Sequence, residues 1–145
     1  MKLSTRSRYG LRALLELALH YGEGPIQLKK IAKNQQISLQ YLEQLIRPLL
    51  AAGFIKSIRG VNGGIWLSKS PSMIKLGAII EHLEGKMAPV ECVTDPNVCG
   101  RSENCVTRDI WCELKSTIYG VLNSVTLQEL IIRHKNKRRK IKKVI

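Results

Sequence analysis

The sequence contains no uninterrupted apolar run long enough to cross a bilayer. Its best early candidate, Leu11 to Leu19, is cut by Arg12 and Glu16, which excludes a membrane span and a secretory signal and points to the cytoplasm. It also lacks the marks of an enzyme. There is no phosphate-binding glycine loop, no nucleophile elbow and no carboxylate pair in a cleft-forming context, and His20, His82 and His134 lie in three different segments. With 145 residues the chain can build one compact core or two very small ones, but not a multidomain enzyme. Acid is scarce as well: 11 Asp and Glu face 24 Lys and Arg, for a net charge of +13 and a pI near 9.9. Such a surplus calls for a polyanionic partner. Four cysteines in a reducing compartment then read as a metal or redox site rather than a disulfide framework.

The charge is bipolar. Residues 1–70 hold 11 Lys/Arg and 3 Asp/Glu, residues 71–132 hold 5 and 8, and residues 133–145 hold 8 and none. A positive head and a positive end thus flank a mildly acidic middle that carries every cysteine, as expected if one part binds nucleic acid and another does something else. The end, 133–145, has too few apolar residues and too much self-repulsion to fold alone and is expected to be a flexible basic tail, either solvated or lying along a DNA backbone.

Hydrophobic spacing organises the rest. Leu11, Leu14, Leu15 and Ala18 mark a helix over Arg6 to Tyr21, and Gly22-Glu-Gly-Pro25 breaks it. A short helix over Leu28 to Asn34 and a turn at Gln35-Gln36-Ile37 lead to Ser38, an N-cap for a helix to Ala52 that is kinked or tightened at Pro48 and closed by Gly53. Strands at Phe54 to Arg59 and Ile65 to Ser68 flank Asn62-Gly63, a strong hairpin signal. This order predicts a mainly α fold with a small β-hairpin wing, a winged helix-turn-helix over residues 1–84 that ends in a helix from Leu76 to Glu84. Residues 85–105 form a cysteine-bearing loop, of a length seldom kept without a functional reason or a staple. In 106–132, Ile110, Trp111, Leu114, Ile118, Val121, Leu122 and Val125 mark a long dimerisation helix, and Thr126-Leu-Gln-Glu129 caps a final one. The surplus apolar face implies a homodimer, which suits a palindromic operator in double-stranded DNA.

Base reading is expected from the exposed side of the helix after Ser38. The amides of Gln40 and Gln44 suit adenine, Glu43 can accept from cytosine, Tyr41 lies between them, and Arg59 at the hairpin suits a narrow minor groove. Arg6, Arg8, Lys29, Lys30 and Lys56 would serve phosphates.

The cysteines follow the pattern Cys92-x6-Cys99-x5-Cys105-x6-Cys112. This is neither the short paired spacing of a zinc ribbon nor a simple ferredoxin run. Thiols spread through a Gly/Pro loop suit a ligand set that wraps a metal or cluster, which would supply the staple that the loop lacks.

The runs Met1-Lys-Leu-Ser-Thr-Arg-Ser-Arg-Tyr-Gly-Leu-Arg-Ala13 and Ser38-Leu-Gln-Tyr-Leu-Glu-Gln-Leu45, the Val61-Asn-Gly-Gly64 wing after Arg59, and Cys92…Cys99…Cys105-Val-Thr-Arg-Asp-Ile-Trp111 resemble the winged-helix, iron-sulfur cluster-sensing transcription regulators, IscR-like and NsrR-like. The resemblance spans residues 1–132 or so. It implies a bacterial homodimeric regulator, of cluster biogenesis in the IscR-like branch, with Cys92, Cys99 and Cys105 holding an iron-sulfur cluster, 2Fe-2S first and 4Fe-4S as the alternative. The chain departs from both branches at the fourth ligand. Arg108 stands where IscR-like members place a histidine, and Arg8 where NsrR-like members place an acid; a guanidinium has no free acceptor. Cys112, Asp109, Glu113 and Glu91, or a small thiol or water, remain as fourth ligands. Direct thiol-redox chemistry or zinc at the same cysteines is the alternative without a cluster.

Overall fold

The computed structural model describes residues 1–145. Helix α1 (Thr5–Leu19) starts where the Ser4 side chain accepts the Ser7 amide, and it buries Ala13, Leu14, Leu17 and Ala18. Helix α2 (Leu28–Gln35) ends in a turn where Gln36 takes a left-handed conformation and the Ile37 amide returns to the Ala32 carbonyl at 2.9 Å. Ser38 caps helix α3 (Leu39–Ala51) through the Tyr41 amide, and Leu42, Leu45, Ile46 and Leu49 face the core. The helix runs on through Pro48. Gly53, with φ of 76°, turns the chain out of it, a conformation that costs glycine nothing.

Strands β1 (Ile55–Ile58) and β2 (Gly64–Leu67) pair antiparallel, from Ile55 opposite Leu67 to Ile58 opposite Gly64. Beside the hairpin, Ile26 exchanges two backbone hydrogen bonds with Ile65, both 2.9 Å. The sequence pattern does not indicate this third edge. Gly64 permits it, because a Cβ there would collide with the Ile26 backbone. The Gln27 amide also reaches the Val61 carbonyl at 3.2 Å, so the chain entering α2 holds the wing both at the start of β2 and at its turn.

Helix α4 (Leu76–Glu84) packs on α1. The segment after it is less open than the expected loop: it holds helix α5 (Glu91–Thr94) and 3₁₀ turns at Pro96–Val98 and Ser102–Asn104. Helix α6 (Val106–Ser124) follows, then helix α7 (Leu127–Val144), whose cap Thr126 accepts the Glu129 amide at 3.3 Å.

Two expectations change here. Residues 133–144 are the continuation of α7, not a flexible tail. The first turn of α7 is capped and anchored in the core, and Lys and Arg propagate a nucleated helix well. The start of α7 also belongs with the reading head. The Leu76 amide bonds the Val125 carbonyl (2.9 Å), the Leu127 amide bonds the Ile74 carbonyl (3.0 Å), and Val125, Leu127 and Ile131 join a 21-residue core with α1, α2, α3 and the wing. By contrast, the 19 residues of α6 include none that is buried.

Candidate nucleic-acid interface and thiol segment

The apolar stripe of α3 fixes its outer side. Gln40, Glu43, Gln44 and Arg47 are exposed, with Gln40, Gln44 and Arg47 in line at i, i+4, i+7. Tyr41 does not stand free among them. It is half-buried against the core, edge-on to Tyr9 at 6.0 Å, while the Arg12 guanidinium lies 5.0 Å from the centre of the Tyr9 ring. Part of the Tyr41 ring is therefore committed to packing.

Arg59 is exposed at the end of β1, where the hairpin turn begins, and Lys56 is exposed on β1. Between wing and helices runs a groove of about 590 Å³ bounded by Gln27 just ahead of α2, Lys29 of α2, Glu43 of α3, and Arg59 and Val61 of the wing. Arg6 and Arg8 are exposed at the start of α1, and Lys29 and Lys30 at the start of α2. Polar and cationic side chains thus occupy α3, the wing and the starts of two other helices, all on one core.

Sequence reasoning missed the residues that hold these elements in register. Glu16, only 6% exposed, accepts from the Asn34 amide at 2.6 Å and the Gln35 amide at 2.7 Å. Arg12 donates to the Gln35 side chain at 3.2 Å and to its carbonyl. Together they tie α1 to the turn that sets the angle between α2 and α3. The available signal is that Glu16 is the sole acid ahead of Glu23. A second tie joins α4 to the head: Glu84 accepts the Ser4 amide (2.7 Å) and hydroxyl (2.6 Å), and His82 Nε2 lies 3.0 Å from the Pro48 carbonyl. Burial pushes the Glu84 carboxyl up, but the Ser4 hydrogen bonds and the nearby Arg6 charge outweigh it and hold the group below the usual carboxylate range.

All four cysteines are free thiols. Cys92 lies half-buried in α5, Cys99 is exposed after the Pro96–Val98 turn, and Cys105 is the N-cap residue of α6. The Cys105 sulfur is 3.2 Å from the Thr107 hydroxyl. That hydrogen bond, with the Arg108 amide, holds its thiol below the usual range, as expected for a sulfur at a helix N-terminus. Arg108 is no ligand. Its Nε donates to the Cys92 carbonyl at 2.9 Å, pinning α5 to α6. Cys112 is half-buried further along α6. No three His, Cys, Asp or Glu side chains converge closely enough to hold a metal ion, so the thiols as arranged do not form a closed ligand set for an iron-sulfur cluster.

The fold and its surface are those of a winged helix-turn-helix protein. The chain belongs to the family Rrf2, described as an iron-dependent transcriptional regulator, which matches residues 3–133. It is 46% identical over 131 residues to the protein rrf2 of Nitratidesulfovibrio vulgaris, covering 90% of this chain and 87% of that one. The solved structure of CymR, the global cysteine regulator of B. subtilis, superposes with a TM-score of 0.78 at 42% identity over 92% of this chain and 98% of CymR. That of T. potens IscR gives 0.76 at 40% over 92% and 88%.

Proposed function

We propose that this chain is a homodimeric, operator-binding transcription regulator whose promoter occupancy is set by the chemical state of Cys92, Cys99 and Cys105. One observation carries the reading: helix α6 begins at a thiol and continues as an apolar face without a partner. Val106 (77% exposed), Ile110 (54%), Leu114 (42%) and Val121 (60%) lie on one side of it. A second copy is the occupant of that face. Burying four half-exposed aliphatic side chains from each protomer contributes about 8 kcal/mol at about 1 kcal/mol apiece, of the order needed to offset association. A change at Cys105 then acts at the end of the helix that sets the separation of the two reading heads. In each head Gln40, Glu43 and Gln44 would read base edges, helped by the Tyr41 hydroxyl. Arg59 would enter the minor groove, with Arg6, Arg8, Lys29, Lys30 and Lys56 on phosphates.

An iron-sulfur cluster is the first reading of the input, supported by the description of the family as iron-dependent and by the likeness to T. potens IscR; Cys92, Cys99 and Cys105 would have to draw together to hold it. Residues 85–105 bury little beyond Met87 and Ser102, so rearranging this segment around a ligand would cost little packing. Direct thiol chemistry or zinc is the second reading. It is favoured by the separation of the thiols, the low-titrating Cys105 and the likeness to CymR. The test starts from operator DNA selected from a random duplex library by anaerobically purified protein. Iron and sulfide are quantified, and binding is compared before and after air oxidation, and for Cys105→Ala. Bound iron and sulfide with oxidation-sensitive binding supports the cluster. Colourless protein whose binding still responds to oxidation, or that carries stoichiometric zinc, supports the second reading. Equal binding in all states refutes thiol control.

A further inference from the structure

We infer that the distal half of α7 is a second, sequence-independent DNA contact, a basic arm that grips phosphates beside the site read by α3 and the wing. Helix α7 starts inside the reading head, with Leu127 and Ile131 in the shared core, and from Lys135 to its end every residue is exposed. A rigid helix of about 15 Å therefore leaves the head, at about 1.5 Å per residue. Arg133 pairs with Glu129 at 3.0 Å, but Lys135, Lys137, Arg138, Arg139, Lys140, Lys142 and Lys143 have no acidic partner in the chain.

The arrangement of these cations is directional. Lys135, Arg138, Arg139, Lys142 and Lys143 follow i, i+3, i+4, i+7, i+8 and so share about 140° of the helix circumference. Each neighbouring like-charge pair on such a stripe destabilises an isolated helix by about 0.2–0.5 kcal/mol. The stripe is therefore a cost at low salt that an external polyanion removes. Its axial length of about 12 Å matches three to four phosphates of one DNA strand, spaced about 3.4 Å. A membrane surface fits less well, because an interfacial helix needs a continuous apolar face. Here residues 133–140 contribute no apolar side chain, and only Ile141, Val144 and Ile145 follow.

The inference goes beyond the helix-turn-helix reading and is separable from it. Binding of the full chain and of the variant Lys135→Gln/Arg138→Gln/Arg139→Gln/Lys142→Gln/Lys143→Gln to a non-specific 30-base-pair duplex is followed by fluorescence anisotropy across a salt series. The arm should account for about three units of the log–log salt slope per bound protomer, so the advantage of the full chain shrinks about sixtyfold between 50 and 200 mM salt. Substituting Arg133, Lys137 and Lys140 by Gln instead should remove one unit or less. Both variants should retain the thermal midpoint and the near-ultraviolet dichroism of the full chain, because the arm lies outside the core. Equal slopes for the full chain and the five-site variant overturn the arm while leaving the reading head intact. Equal loss per cation on the two faces overturns the stripe. Equal DNA slopes combined with arm-dependent binding to phosphatidylserine vesicles would assign the arm to membranes.

Discussion

The Glu16 hub gives a sharp test of how the reading head is held. In Glu16→Ala, two hydrogen bonds to a carboxylate, 2.6 and 2.7 Å long, are lost. Bonds to charged groups contribute about 1.5–3 kcal/mol each. Asn34 is exposed and Gln35 half-exposed, so their amides regain water and the loss falls toward the lower end, about 2–3 kcal/mol in all. For a domain of this size that lowers the midpoint by about 5–10 °C. Urea titration should show the same loss as a shift in midpoint with unchanged slope. Because Gln35 adjoins the left-handed Gln36 and the cap Ser38, operator affinity should fall even well below the new midpoint. In the double-mutant cycle with Gln35→Ala, the coupling should reach about 1 kcal/mol. A loss below about 0.5 kcal/mol, or strict additivity of the two substitutions, would refute the assigned role.

Other elements carry their own tests. Leu114→Glu places a carboxylate from each protomer in the α6 seam; sedimentation should show monomers, and operator affinity should fall by about 100-fold or more as the second half-site contact becomes intermolecular. Gly64→Ala should cost about 1–3 kcal/mol by denaturant titration and expose the Ile26 and Ile65 amides to hydrogen exchange, since its Cβ meets the Ile26 backbone. Gln40→Ala should cost about 1–3 kcal/mol on a selected operator and relax preference at one base position, with the non-specific salt slope unchanged. Glu84 titrates below an ordinary carboxylate, so its contribution is complete above the unfolded value and is lost as pH falls through the folded one. Ser4→Ala should therefore lower stability at neutral pH and flatten the acid limb of the stability curve; an unaltered acid limb would count against the Ser4 tie.

What is legible in the sequence is what local chemistry decides. The spacing of Leu42, Leu45, Ile46 and Leu49 places α3, Asn62-Gly63 places the wing, and Thr126 with Glu129 places the start of α7, each because the signal and its partner lie within a few residues. The Ile26 edge is hidden because its partner, Ile65, lies beyond two intervening helices and a strand and its condition is a missing side chain at Gly64. Glu16 is hidden because its partners lie on another helix. Composition misreads the arm because it weighs self-repulsion but not the core-anchored turn from which the helix propagates. The cysteine spacing names a thiol segment but not its geometry. The pinning of α5 by Arg108 through the Cys92 carbonyl has no sequence signature.

The magnitudes at α4 limit how the proposed input could reach the proposed output. The thiol segment begins where α4 ends, at Gly85. The last turn of α4 touches the reading head through His82 at the Pro48 carbonyl, His82 edge-on to Phe54 at 6.0 Å, and Glu84 at Ser4. These are polar contacts of exposed or half-exposed groups, each contributing about 0.5–1.5 kcal/mol. A coupling free energy of about 1.4 kcal/mol changes affinity tenfold. Losing any one of these contacts could therefore change operator binding by about tenfold and hardly more. A hundredfold switch needs several of them at once or a second route, and α6 supplies the geometry for such a route. Its first residue follows Cys105, and its exposed face is the proposed dimer seam, so one displacement there acts on two heads and on both half-sites together. A steep switch in a regulator of this build would combine the two, with α4 setting the orientation of each head and the α6 seam acting on both heads at once.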